Sequence, residues 1–78
     1  MKTYEVYMEG YVTNGEVSSA RYVGTGTGEN FMMAAKDACI NAFGEDETKK
    51  YFTIRNGVPS YWGCRLYDNM TDAQRLFS

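Results

Sequence analysis

The chain has 78 residues, enough for one small core spanning residues 1–78 and too few for a second domain or a cleft between domains. Hydrophobic residues make up 44% and charged residues 23%, the balance of a globular domain rather than of a disordered or membrane-embedded chain. Ten acidic against eight scattered basic residues give a formal charge of −2, so the sequence supplies no clustered positive field for bulk nucleic-acid binding and leaves a local patch to the fold.

Residues 3–13 are rich in β-branched and aromatic side chains and predict a strand. Asn14-Gly15 follows, a pair that accepts positive φ at both central turn positions and marks a hairpin. Residues 16–25 then return as the second strand. A two-residue turn fixes the register, so Val12 faces Val17, Met8 faces Arg21, Tyr7 faces Tyr22 and Val6 faces Val23. Alternation sends Tyr4, Val6, Met8, Val12, Val17 and Val23 to one face, the expected core face. The other face carries Tyr7, Tyr11, Ala20 and Tyr22 among Glu5, Glu9, Glu16 and Ser18.

Gly24-Thr25-Gly26-Thr27-Gly28 reads as a flexible crossover out of the hairpin. A glycine run before a helix also suggests anion binding by backbone amides, with Gly26 and Gly28 as its residues. The spacing is G-x-G-x-G rather than G-x-G-x-x-G, and no Walker lysine follows, so a dinucleotide or P-loop site is not indicated.

Residues 31–43 predict a helix, with Phe31, Ala35, Ala38, Cys39, Ala42 and Phe43 on its apolar stripe. Met33, Lys36, Asp37, Ile40 and Asn41 fall on the outer side. Asn30 suits its N-cap and Gly44 its end. Glu45 to Lys50 reads as a charged loop. Residues 51–55 predict a third strand, 56–60 a turn and 61–67 a fourth strand, whose alternation sends Trp62, Cys64 and Leu66 inward. Thr71-Asp72-Ala73-Gln74 fits a capping box, placing a short last helix from Asp72, docked by Leu76 and Phe77. The predicted fold is α+β, a two-layer sandwich of order β-β-α-β-β-α. Its antiparallel sheet carries one main helix and a short C-terminal helix.

Chemistry is sparse. There is no His, so no Ser-His or Cys-His pair exists, and two cysteines without His leave a zinc shell unfilled. Cys39 and Cys64 read as buried, reduced thiols. The sequence implies no enzyme, no metal and no cofactor. No apolar run reaches membrane-spanning length, and Met1-Lys2-Thr3-Tyr4-Glu5 lacks the apolar stretch of a signal peptide, so a cytoplasmic location is expected. The feature that suggests function is the aromatic face of Tyr7, Tyr11 and Tyr22. Tyrosines on a rigid sheet make good interface anchors, because little rotamer entropy is lost on binding. Glu5 and Glu9 beside them favour a protein partner with basic residues.

Gly10-Tyr11 in a hairpin and Gly26-Thr27-Gly28-Glu29-Asn30-Phe31 entering a helix resemble small accessory proteins carried by phages and related mobile elements. So does Tyr61-Trp62-Gly63-Cys64-Arg65-Leu66-Tyr67-Asp68-Asn69, followed by a short helix ending in Phe77. The resemblance spans nearly the whole chain. It carries no catalytic residues and implies a setting: a protein acting on a host factor inside an infected bacterium, as anti-CRISPR inhibitors do. Two other expectations stand beside it. One is a small nucleic-acid-binding module using the same tyrosines with Arg21 and Arg55. The other is a self-associating structural protein, a homodimer formed through a sheet edge.

Overall fold

A computed structural model of the chain describes residues 1–13 and 15–74, and at 11–13 and 16–18 it describes the backbone only. The N-terminal hairpin is built from β1 (Lys2–Met8), β2 (Tyr11–Thr13), β3 (Glu16–Ser18) and β4 (Arg21–Gly28). Its register is the one expected from Asn14-Gly15: Val12 pairs with Val17, Met8 with Arg21 and Tyr7 with Tyr22. Gly15 takes the positive φ of +81° that such a turn requires. Asn14 itself lies outside the described residues.

Two departures follow. The strands are not continuous: β2 and β3 form their own small sheet, and β1 stops at Met8. The ladder also slips beyond Tyr7, so Val6 faces Gly24 instead of Val23. The slip is a bulge, with Val23 and Gly24 both opposite Val6. It keeps Val6 and Val23 at the core and brings Tyr22 and Thr25, three residues apart, onto the same outer face.

The glycine run is strand, not crossover. Gly26 pairs with Tyr4 and Gly28 with Lys2. Their bare faces lie against α1 (Phe31–Phe43), the helix expected at those residues. A Cβ on Gly26 would sit 1.8 Å from the Ala34 carbonyl oxygen, and one on Gly28 would sit 2.7 Å from the Ala34 nitrogen. The missing side chains let helix and strand backbones touch, which adds Ala34 to the buried Ala35, Ala38 and Cys39 of the expected stripe, while Ala42, expected on it, is exposed. Asn30 caps the helix, its Oδ1 accepting from the Met33 amide at 3.0 Å. Tyr4 meets Phe31 edge-on at 5.6 Å and ties that end to β1. Along the free edge of β4, Asp37 Oδ2 accepts from the Thr27 amide at 2.9 Å and Asn41 Nδ2 donates to the Thr25 carbonyl at 3.4 Å. Helix side chains therefore occupy main-chain groups that an incoming strand would need.

The segment expected as a charged loop is a helix, α2 (Glu45–Tyr51). Glu45, Asp46 and Glu47 fill its first turn and Lys49 and Lys50 its last, an order that suits the helix dipole. The buried Thr48 hydroxyl donates to the Gly44 carbonyl at 2.8 Å. Three short strands follow, β5 (Phe52–Arg55), β6 (Val58–Tyr61) and β7 (Cys64–Tyr67). Each is joined to the next by a two-residue turn with positive φ at both positions, Asn56-Gly57 (+52°, +77°) and Trp62-Gly63 (+58°, +78°). The last helix, α3 (Met70–Ala73), starts before the expected Asp72, because Asn69 rather than Thr71 caps it, accepting from the Asp72 amide at 2.8 Å. Leu76 and Phe77 lie outside the described residues.

The fold is α+β, as expected, but among the described residues it has more elements in a different order: four strands, two helices, three strands and a helix. The main sheet has five antiparallel strands ordered β4-β1-β7-β6-β5. One face carries Val6, Met8, Tyr61, Cys64 and Leu66 into a core with Ala35, Ala38 and Cys39 of α1. Val6 and Leu66 are buried to 0% and 2% exposure, which stabilises the fold by about 1.5–3 kcal/mol each. Tyr61 stacks on Phe43 at 4.6 Å.

Candidate functional site

The outer face of the sheet carries a row of tyrosines. Tyr7 pairs with Tyr22 on one side and with Tyr67 on the other. The Tyr7 and Tyr22 rings lie 5.2 Å apart at 57°. Tyr22 is 48% exposed, and its hydroxyl is 2.9 Å from Thr25 Oγ1, a contact the bulge makes possible. Desolvation, then Glu5 and Tyr22, hold the Tyr7 phenol above its usual range. Glu5 is exposed opposite Thr25. Of the residues expected here, the structure brings Tyr7, Tyr22 and Glu5 together and adds Tyr67. Tyr11 belongs to the β2–β3 sheet, and its side chain lies outside the described residues.

Glu9 has a different role from the one expected. It is buried, and its Oε2 accepts from the Arg65 amide at 2.7 Å and the Arg65 Nε at 3.3 Å. The charge expected to meet a partner is spent inside the fold. Gly26 and Gly28 are likewise buried strand residues packed on Ala34, not a loop at a helix N-terminus, and the Thr27 amide between them already serves Asp37.

Trp62 was expected inside and is 68% exposed, whereas Tyr61 is buried at 6%. The turn at Trp62-Gly63 is the reason. A two-residue hairpin places Tyr61 and Cys64 on the same face, so alternation does not run through the segment. Positive φ is unusual for a bulky side chain. The Trp62 amide donates to the Tyr51 carbonyl at 3.1 Å, and its ring tilts against Tyr51 at 5.0 Å.

Two concavities flank this turn. One, of about 690 Å³, is apolar, with Met8, Phe43, Tyr61, Trp62 and Cys64 in its walls and Arg21 and Glu47 as its charges. The Cys64 thiol there is pushed up by burial and by Glu9, with Arg21 opposing, which keeps it protonated and a poor nucleophile. The other, of about 510 Å³, lies over β5, β6 and β7 and is bordered by Lys50, Arg55 and Arg65. These cations are scattered in sequence and meet only because β5 and β7 flank β6. No composition signal marks this; a second turn at Trp62-Gly63, beside the one expected at 56–60, would have revealed it.

Among the described residues no group of three or more His, Cys, Asp or Glu side chains gathers into a metal site, and no helix is long and apolar enough to cross a membrane. No protein-family model, no curated protein and no solved structure matches this chain.

Proposed function

We propose that this chain is a non-enzymatic binding protein that docks on a partner protein through the face of Tyr7, Tyr22 and Tyr67, with Glu5 as the acidic complement. The observation that carries this reading is Tyr22, an aromatic ring half exposed on a rigid strand and held at both ends, by Tyr7 and by Thr25. An anchor ordered before binding loses little entropy when it binds. The resemblance to phage accessory proteins supplies the setting: the cytoplasm of a host bacterium, with a host factor as the protein bound and inhibited, in the manner of anti-CRISPR proteins. Self-association through a sheet edge is the weaker reading, since Asp37 and Asn41 occupy the β4 edge and leave β5 for such pairing.

The test is an affinity capture from bacterial lysate with nuclease-treated and untreated arms, comparing wild type with Tyr22→Ala, and with Tyr22→Ala plus Tyr7→Ala. The expected result is a protein retained by wild type in both arms and lost by variants whose circular dichroism is unchanged. Capture that survives loss of both tyrosines would sink the proposal. Capture that vanishes with nuclease would move the tyrosine face to nucleic-acid binding.

A further inference from the structure

The half of the outer sheet face away from the tyrosines is basic in an acidic protein. Arg65 from β7, Arg55 from the end of β5 and Lys50 from the last turn of α2 border one groove, with the Thr53 and Ser60 hydroxyls between them. Thr53 pairs with Ser60, and Ser60 with Arg65, so these three stand in one row across the strands. Arg65 is partly neutralised by Glu9. Among the described residues neither Lys50 nor Arg55 has an ion-pair partner, whereas their neighbour Lys49 is 4.0 Å from Glu45. Two uncompensated cations thus face the same concavity.

Tyr51 forms one wall of this groove and touches, at 5.0 Å, Trp62, whose ring lines the neighbouring concavity across the turn. The Trp62-Gly63 turn, whose Gly63 also lines the groove, fixes the indole outward with positive φ at 68% exposure. An outward indole in a backbone conformation that bulky residues rarely adopt is the kind of strain that collects at binding sites. Cations beside an exposed aromatic platform are the two elements by which proteins hold a nucleotide unit, phosphate on the charges and base on the ring.

We infer that the groove of Lys50, Arg55 and Arg65 binds a nucleotide unit, its phosphate on the cations and the hydroxyls of Thr53 and Ser60, its base against Trp62 and Tyr51. The occupant is a phosphorylated aromatic base, supplied either as a free nucleotide or as one unit of a single strand. Arg65 stands beside Tyr67 on the same face of β7, so the groove adjoins the tyrosine row, and Lys50 and Arg55, outside that row, are the residues whose loss tests the groove alone.

Trp62 is the sole tryptophan and therefore the reporter. Its fluorescence is titrated in the full chain with four probes: a thymidine oligonucleotide of ten units, thymidine monophosphate, inorganic polyphosphate and polyglutamate. Saturable quenching by the oligonucleotide is expected. Neutralisation of the one phosphate held on the cations gives log K a slope of about −0.7 against log salt. In Lys50→Ala plus Arg55→Ala, with circular dichroism unchanged, that slope flattens toward zero and affinity drops about tenfold or more. Quenching by the monophosphate as well assigns the site to free nucleotides, and quenching by the oligonucleotide alone assigns it to a strand; either supports the inference. Absence of quenching by both, confirmed by calorimetry, overturns it. So does an unchanged slope in the double variant. Polyphosphate binding as tightly as the oligonucleotide overturns the role of the base, and tighter binding of polyglutamate would make the groove a seat for an acidic protein.

Discussion

Glu9 and Arg65, 56 positions apart, are joined three times: the Glu9 amide donates to the Arg65 carbonyl at 3.0 Å, and Glu9 Oε2 accepts from the Arg65 amide at 2.7 Å and the Arg65 Nε at 3.3 Å. The carboxylate stands where a strand carbonyl would be. That substitution ends the β1–β7 ladder after Met8 and lets the chain turn away at the buried Gly10.

The shorter side-chain bond goes to backbone, and this ranks the two residues. Glu9→Ala strands the Arg65 amide beside the core and should cost about 1.5–3 kcal/mol, the range for a hydrogen bond to a charged group. Arg65→Ala leaves the amide–carboxylate bond in place and removes only a guanidinium that is half in solvent, so its loss is smaller. Urea denaturation of both variants checks the order. Equal losses would show that the guanidinium, not the amide, is the partner that matters.

Gly26 is required by contact, not by backbone conformation. A methyl group there would overlap the Ala34 carbonyl at 1.8 Å, and that oxygen belongs to a helix backbone that cannot turn aside. Gly26→Ala should therefore force α1 off β4 and cost about 3 kcal/mol or more. In a domain of this size that lowers Tm by at least about 12 °C. Gly28→Ala meets Ala34 and Met33 at 2.7 Å and should cost less. Thermal unfolding followed by circular dichroism gives both values. A Gly26→Ala variant with wild-type Tm would mean that helix and strand do not approach this closely.

Trp62 separates the structure from the plain alternation of residues 61–67. A tryptophan buried in the core would lose about 3–5 kcal/mol on truncation. At a positive φ the effects nearly cancel. Trp62→Asn relieves about 1–2 kcal/mol of left-handed strain and gives up a ring contact with Tyr51 of about 0.5–1.5 kcal/mol. Stability within about 1 kcal/mol of wild type is expected, together with wild-type emission typical of a solvent-facing indole. A loss of several kcal/mol would return Trp62 to the core.

The first hairpin was legible because Asn14-Gly15 fixes a register by local chemistry alone, and α1 was legible from its period and its Asn30 cap. What the sequence hid was non-local. Gly26 and Gly28 meet a helix that lies later in the chain, so a run that reads as flexible linker becomes strand. The acidic-then-basic order of 45–50 is a dipole-matched helix, yet six charged or polar residues without an apolar stripe look like loop. Asn56-Gly57 carries the same turn signal as Asn14-Gly15, but it is followed by Pro59, which suggests irregular chain. Trp62-Gly63 carries only half the signal, a glycine without an asparagine. The turn expected at 56–60 is confined to Asn56-Gly57, and missing the second turn at Trp62-Gly63 inverted Tyr61 and Trp62 and concealed the groove that Lys50, Arg55 and Arg65 share. The tyrosine face was readable as far as Tyr7 and Tyr22. Tyr67 joins it only through the β7–β1 pairing, which nothing in the sequence specifies.

Cys39 gives the chain a dependence on pH with a definite sign. Its thiol is fully buried in the core, and burial pushes its pKa from 9.0 up to about 12. The folded state thus holds the proton where the unfolded chain releases it. The resulting stability is complete below pH 9 and is lost as pH rises from there toward 12, at about 1.4 kcal/mol per pH unit. Cys39→Ala removes this term and leaves a small cavity whose cost does not vary with pH. The informative quantity is the difference between wild type and variant, in which every other pH-dependent contribution cancels. Denaturant unfolding at about pH 8.5 and about pH 10.5 should show wild type losing about 2 kcal/mol more than Cys39→Ala. A difference that stays constant across that interval would place the Cys39 thiol in contact with water, and with it the seam between α1 and the sheet.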